Sequence, residues 1–245
     1  MSAPEGYVTL RRGIAKAVVR ADALLEVDRA LAAGTLHDFA RAMADRTLHG
    51  RAPAYVCRLR DDLRVVVRHN THGGAFARIT GDRFLAPTRA PLELAASLRL
   101  IAAGVPTPPI VAIVRYAAGG PFERSDVATE EIVDATDLAH VMTQAPARHA
   151  AAAQATADLL RALAHAGAHH ADLNIKNILL QPTAAGLRAF VLDVDRVTFH
   201  ERDSSQVRER NWARLLRSAR KWRALHDAPI SDEWLETVKR ASEGQ

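Results

Sequence analysis

A chain of 245 residues with a formal charge of +5, 48% hydrophobic and 25% charged residues can bury a substantial core and has an ordinary globular composition. A single cysteine, Cys57, excludes an intramolecular disulfide, and no uncharged run reaches the ~18 residues of a membrane span. The polar, basic start predicts no secretory leader, and 5% aromatics without a recognition motif give no reason to expect nucleic-acid binding.

The N-terminal part reads as β-rich. Tyr7–Leu10 and Ala15–Val19 are short β-compatible runs, and Leu24–Ala33 is a predicted helix closed by Gly34. Ala54–Leu59 and Leu63–Val67 are predicted strands around the turn Asp61-Asp62, with Cys57 packed in an apolar run. Arg68 ends the second strand, and His69–Gly74 is a loop. Pro91–Ala103 has helical periodicity and stops at Gly104. Val105–Pro109 is an extended connector. Ile110–Tyr116 and Val127–Val133 are predicted strands around a turn over Ala117–Ser125.

Near Asp134 the pattern changes. Asp137–Met142 and Ala147–Ala166 read as helices, with Gly167 ending the second, and the chain from about Ser205 onward is helical again. The expected architecture is α+β: a small β-rich N-lobe over residues 1–133 and a larger helical C-lobe over 134–245.

Between those helices lies the run that carries chemistry, His170-Ala171-Asp172-Leu173-Asn174-Ile175-Lys176-Asn177, of the form H-x-D-L-x-x-x-N. Ile178–Leu180 and Leu187–Leu192 read as a hairpin around Gln181–Gly186, which would return Asp193 to Asn177. Phosphoryl transfer needs positioning and charge neutralisation rather than covalent help. Asp172 is the expected base for an attacking hydroxyl. Asn177 and Asp193 are the hard oxygen donors magnesium prefers. His170 is expected to orient the loop backbone. A zinc site of His165, His169 and His170 is the weaker reading, since no cysteine lies nearby.

On the nucleotide side, Arg68 stands where a kinase places its phosphate-binding lysine, and Glu93 in the next helix is its expected partner. Backbone groups of the segment containing Glu130 and Ile132, at the lobe boundary, are expected to meet the adenine edge. Gly50-Arg51-Ala52-Pro53 is a weak stand-in for a glycine-rich cover loop. From Arg208 to Arg223 seven basic residues meet one acid, Glu209. The expected helix there buries Trp212, Leu215, Leu216, Ala219 and Trp222 and turns a basic face outward, suited to an anionic membrane surface or an anionic substrate.

Together these stretches resemble the protein-kinase-like superfamily and, more narrowly, the bacterial lipopolysaccharide kinases, the group that includes 3-deoxy-D-manno-octulosonic acid (Kdo) kinase. The resemblance rests on four stretches: Val65–His69 with Gly73-Gly74; Leu92-Glu93-Leu94 through Gly104-Val105-Pro106; Asp172 through Leu180; and Leu192-Asp193-Val194-Asp195-Arg196. The run Asn211–Ser218 is also similar. It covers roughly residues 48 to 223.

The resemblance implies a bilobal kinase-like fold, ATP and Mg2+ as cofactors, and phosphorylation of a sugar hydroxyl on a Kdo-bearing lipid A precursor. It also implies work at the cytoplasmic face of the inner membrane and a contact of Lys176 with the γ-phosphate or the acceptor. The competing readings are a small-molecule kinase of the aminoglycoside phosphotransferase type and a non-catalytic pseudokinase that binds lipid or a partner. The glycine-poor cover loop and Val194 in place of phenylalanine depart from the usual kinase pattern, and no long activation segment follows Asp195.

Overall fold

The computed structural model describes residues 3–50, 52–71, 82, 84–86 and 88–244. The expected loop residues 72–74, together with Gly81 and Arg83, lie outside them. The chain forms two compact units: Met1–Leu94 with Pro109–Glu131, and Ala95–Pro108 with Ile132–Gln245.

In the first unit, among the described residues, eight strands form an antiparallel sheet: β1 Tyr7–Arg12, β2 Ala15–Arg20, β3 Ala44–Leu48, β4 Ala54–Arg60, β5 Leu63–His69, β6 Phe84–Leu85, β7 Ile110–Ala117 and β8 Phe122–Glu130. Their order is β1-β2-β7-β8-β5-β4-β3, with β6 also paired to β8. The period of two is visible in β5, where Leu63, Val65 and Val67 are buried and Arg64, Val66 and Arg68 are half-buried. The buried face meets α1 (Leu24–Ala33) and α2 (Leu36–Ala42) through Val27, Ala30, Leu31, Leu36 and Ala40. Cys57 is fully buried there, and burial pushes its thiol up to about 11, so it packs rather than reacts.

Two details depart from the periodicity reading. The turn before β8 is confined to Ala118–Pro121, with Gly119 and Gly120 at positive φ. The polar residues Glu123, Arg124 and Ser125 are strand, paired with Ala117, Tyr116 and Arg115. At its other end β8 stops at Glu130, before Ile132.

The second unit is built around α5 (His149–His165). Its buried stripe is largely alanine and leucine: Ala152, Ala153, Ala155, Leu159, Leu160 and Leu163. Against it pack the C-terminal part of α3 (Ala90–Ala102), α4 (Leu138–Gln144), α6 (Ser205–His226), α7 (Asp232–Glu243) and two small sheets. One sheet is β12-β11-β9, from Gly186–Val191, Ile178–Thr183 and Thr136–Asp137. The other pairs β10 (Ala168–His170) with β13 (Val197–Phe199). The connector after α3 is stitched to β12: Val191 donates its N–H to the Pro106 carbonyl at 2.9 Å, and the Thr107 hydroxyl donates to the Val191 carbonyl at 2.9 Å.

The hairpin turn is shorter than expected, Ala184-Ala185 alone, because Gln181–Thr183 extend β11. Pro182 is tolerated there because β9 pairs only with Leu179 and Leu180, leaving β11 an edge at that point. Gly167, at φ +65, ends the turn after α5; a Cβ there would run into the carbonyls of His200 and Glu201.

Candidate active site

The second unit holds the H-x-D-L-x-x-x-N loop between β10 and β11. Asn174 starts it with a local cap: its Oδ1 accepts from the N–H groups of Lys176 and Asn177 at 2.9 and 3.2 Å, winding Ile175–Asn177 into one 3-10 turn. Two side-chain amides then converge on the Asp172 carbonyl, from Asn174 at 3.1 Å and from Asn177 at 3.0 Å. Leu192 donates its N–H to the Asn177 carbonyl at 2.9 Å, so the hairpin brings the start of the Asp193 turn against Asn177.

His170 is fully buried. Its Nδ1 accepts from the Asp172 N–H at 3.2 Å, so its Nε2 is the protonated nitrogen and donates to the Leu192 carbonyl at 2.8 Å. Burial holds His170 below the ordinary histidine value, opposed in part by that carbonyl. The ring is therefore a neutral spacer between the loop and the hairpin end.

Asn177 is 8% exposed. With its amide nitrogen committed to Asp172, its Oδ1 is the end left for a cation. Asp193 is exposed and adopts the left-handed conformation, φ 55 and ψ 52, a region aspartate tolerates better than most residues. It opens the 3-10 turn Val194–Arg196. One amide oxygen and one carboxylate form a hard donor set that fits magnesium with phosphate and water completing the shell.

Lys176 lies in the same loop, but its Nζ sits 3.7 Å from Asp137 and 5.1 Å from the centre of the Trp222 ring. Asp172 keeps a 43% exposed side chain, and its Oδ1 accepts from Arg214 of α6.

In the first unit Arg68, at the end of β5, donates to Glu93 of α3, which is almost wholly buried, and at 2.7 Å to Asn70. The adjacent His69 lies between two carboxylates, Asp126 at 2.6 Å and Asp82 at 3.0 Å. The bond to Asp126 raises the His69 pKa against the opposing effect of burial. Asp126 is fully buried and also accepts from the Tyr116 hydroxyl at 2.8 Å and the His37 N–H at 3.0 Å.

Glu130 donates its N–H to the Pro109 carbonyl at 2.8 Å and pairs its carboxylate with Arg20 at 2.5 Å. Its N–H is thus taken by the sheet. Ile132, in the second unit, accepts the Ala135 N–H at 3.2 Å.

Sequence reasoning missed the α6 contribution. Asn211, Arg214 and Ser218 were part of a run read for its basic charge and apolar stripe. In the structure Leu215 and Ala219 are buried, while Trp212, Leu216 and Trp222 pack half-buried against the core. The missed signal was an asparagine at the spacing of the buried face: Asn211 is 1% exposed.

The chain is similar to proteins of known family. Residues 46–238 match the model of the "Lipopolysaccharide kinase (Kdo/WaaP) family". A 3-deoxy-D-manno-octulosonic acid kinase of Haemophilus influenzae (strain ATCC 51907 / DSM 11121 / KW20 / Rd) is 33% identical over 180 residues, covering 70% of this chain and 73% of that protein. The enzyme of the same name from Vibrio parahaemolyticus serotype O3:K6 (strain RIMD 2210633) is 29% identical over 177 residues, covering 70% and 71%. That of Xanthomonas oryzae pv. oryzae (strain PXO99A) is 32% identical over 186 residues, covering 74% and 71%. Among solved structures, "WaaP in complex with acyl carrier protein" superposes with a TM-score of 0.56 at 20% identity, over 89% of this chain and 86% of that one, which is a likeness of fold. The α+β, protein-kinase-like fold, the catalytic-loop motif and the family match converge: the chain belongs to the lipopolysaccharide kinase (Kdo/WaaP) family, phosphotransferases with an alcohol group as acceptor.

Proposed function

We propose that this kinase transfers the γ-phosphoryl group of magnesium ATP to a hydroxyl of Kdo on a lipid A-linked inner core. The observation that carries the reading is the loop–hairpin junction, where Asp172, Asn177 and the Asp193 turn are tied together by short backbone and amide bonds. The kinases of three other bacteria named for the same sugar support the choice of acceptor.

In this reading Asp172 accepts the hydrogen bond of the attacking hydroxyl and takes its proton as the new P–O bond forms. Asn177 Oδ1 and the Asp193 carboxylate hold magnesium, which neutralises the phosphate charge. Arg68, braced by Glu93, contacts the phosphates as a fork of donors. Lys176, itself exposed, reaches the transferred group or the acceptor by leaving Asp137 and the Trp222 ring, an inexpensive exchange since such surface pairs contribute little. Backbone groups of the segment containing Glu130 and Ile132 take the adenine edge.

The exposed basic residues of α6, Arg210, Arg217, Arg220 and Lys221, suit an anionic membrane face, where a lipid-linked acceptor resides. No helix among the described residues is long and apolar enough to cross a membrane.

The test is ATP consumption by purified protein with magnesium, with and without a Kdo-bearing lipid acceptor, and with Asp193→Ala as control. Acceptor-dependent turnover that disappears in the control is the expected result. Turnover on cationic amino sugars but not on the acidic acceptor would replace the substrate assignment. No magnesium-dependent nucleotide binding at all would overturn the catalytic reading.

A further inference from the structure

The side of α6 that meets the catalytic loop carries Asn211, Arg214 and Ser218, spaced three and four residues apart and therefore on one face. Asn211 accepts from the His170 N–H and donates to the Ala168 carbonyl, both at 2.9 Å. Ser218 accepts from the Ile175 N–H at 3.2 Å. These two hold backbone. Arg214 does something different: its Nε donates to the Ala171 carbonyl at 3.2 Å while its Nη2 donates to Oδ1 of Asp172. One rigid guanidinium thus spans a main-chain oxygen and the adjacent carboxylate.

The backbone of Asp172 is already fixed on both sides. Its carbonyl receives the Asn174 and Asn177 amides, and its N–H is given to His170. What remains loose in such a residue is the carboxylate, because the terminal torsion of aspartate is broad. Arg214 supplies the restraint that the loop itself lacks. The pair is open to solvent, at 31% and 43% side-chain exposure. Its attraction therefore contributes little to folding, and the effect of the contact is geometric.

We propose that Arg214 is a positioning residue for phosphoryl transfer. It holds Oδ1 of Asp172 so that Oδ2 is presented to the acceptor hydroxyl. The inference rests on the proposed role of Asp172 as the base. Lysine cannot reproduce the contact, since a single ammonium lacks the fixed fork that reaches both oxygens.

The experiment compares wild type, Arg214→Ala, Arg214→Lys, Asp172→Asn and the double variant Asp172→Asn/Arg214→Ala for turnover, KM for ATP and thermal unfolding. The expected result for Arg214→Ala is a fall in kcat of roughly 10- to 100-fold, the scale of a misplaced reacting group, with KM for ATP within about twofold and an unchanged melting temperature. Added guanidinium ion restores part of the kcat of Arg214→Ala and none of that of Asp172→Asn. Arg214→Lys stays impaired although its charge is kept, and the double variant is no slower than Asp172→Asn alone.

Wild-type kcat in Arg214→Ala would overturn the proposal. So would a loss that guanidinium does not relieve, or one that adds in full to that of Asp172→Asn. Should Arg214→Ala not fold, Arg214→Lys decides: full turnover there overturns the proposal, and a kcat-only defect supports it. Wild-type turnover in Asp172→Asn is a separate failure, of the base assignment itself, and is visible without any Arg214 variant.

Discussion

Around His170 and Asp172 the chain is held mainly by neutral donors and acceptors, whereas around Arg68 and His69 it is held by charges. The loop uses the amides of Asn174, Asn177 and Asn211, a buried imidazole and the Ser218 hydroxyl, with the solvent-open Arg214–Asp172 pair as its charged contact. The strand end uses Arg68 with Glu93, and His69 between Asp126 and Asp82. Neutral hydrogen bonds are short-ranged and directional, so they fix geometry without adding a field that would compete with a bound cation. Ion pairs supply a field for phosphate but respond to salt and pH. The two histidines carry the contrast: burial lowers His170, and a carboxylate raises His69.

The largest effect that tests this contrast is chemical. Asp172→Asn should lower kcat by roughly 10²- to 10⁴-fold, the usual share of a general base, while nucleotide affinity measured by titration calorimetry stays near wild type. A similar loss in affinity would mean that Asp172 serves binding.

Next in size is a fold defect confined to the second unit. Gly167→Ala places a Cβ against two carbonyls at a left-handed position and should cost about 3 kcal/mol in urea unfolding. A wild-type midpoint would show that the turn has room to move.

Smaller again is Arg68→Ala, expected to raise KM for ATP about tenfold or somewhat more, the value of one charge-assisted contact. Added salt should weaken ATP binding in the wild type more than in the variant. Equal salt sensitivity would separate Arg68 from the phosphates.

The smallest is proton linkage through the two histidines. His170 has its pKa lowered on folding, so its contribution is present above the ordinary value of 6.5 and is lost as pH falls below it. His69 has its pKa raised, so its contribution is present below 6.5 and is lost as pH rises through the raised value. Hydrogen exchange, corrected for intrinsic rates, should show loop amides from His170 to Asn177 opening more at pH 5 than at pH 7. Amides near His69 should open more at pH 9 than at pH 6. The same trend at both places would remove the distinction.

Much of this was legible in the sequence where one local rule decides the outcome. α1, α3, β4 and β5 follow their periodicity and turn residues, and the β11–β12 hairpin forms where expected with a shorter turn. The start of the Asp193 turn reaches Asn177 as the hairpin reading required. What escaped depends on distant partners. α2 is only Leu36–Ala42, and two of the N–H groups in its first turn are satisfied by Tyr116 and Asp126, some eighty to ninety residues away. β3 is an edge strand with no buried residue, so it shows no alternation. Glu123–Ser125 lie within the stretch expected as turn, yet their pairing with β7 makes them strand. At the site, Asn211, Arg214 and Ser218 meet partners about 40 residues earlier in the chain. No local pattern ties a helix to a loop over that distance.

The reach of α6 also bears on how the enzyme is made. Synthesis runs from the N-terminus at a few to some twenty residues per second. A nascent chain that ends at Arg210 already contains Asp172, Asn177 and Asp193, yet none of the three side chains that clasp their loop from outside. The ribosome therefore delivers these three residues about one to five seconds of chain growth before the side chains that hold their loop. A messenger cut short in that interval yields a chain with Asp172, Asn177 and Asp193 but without the core residues Leu215, Ala219, Trp234, Leu235 and Val238.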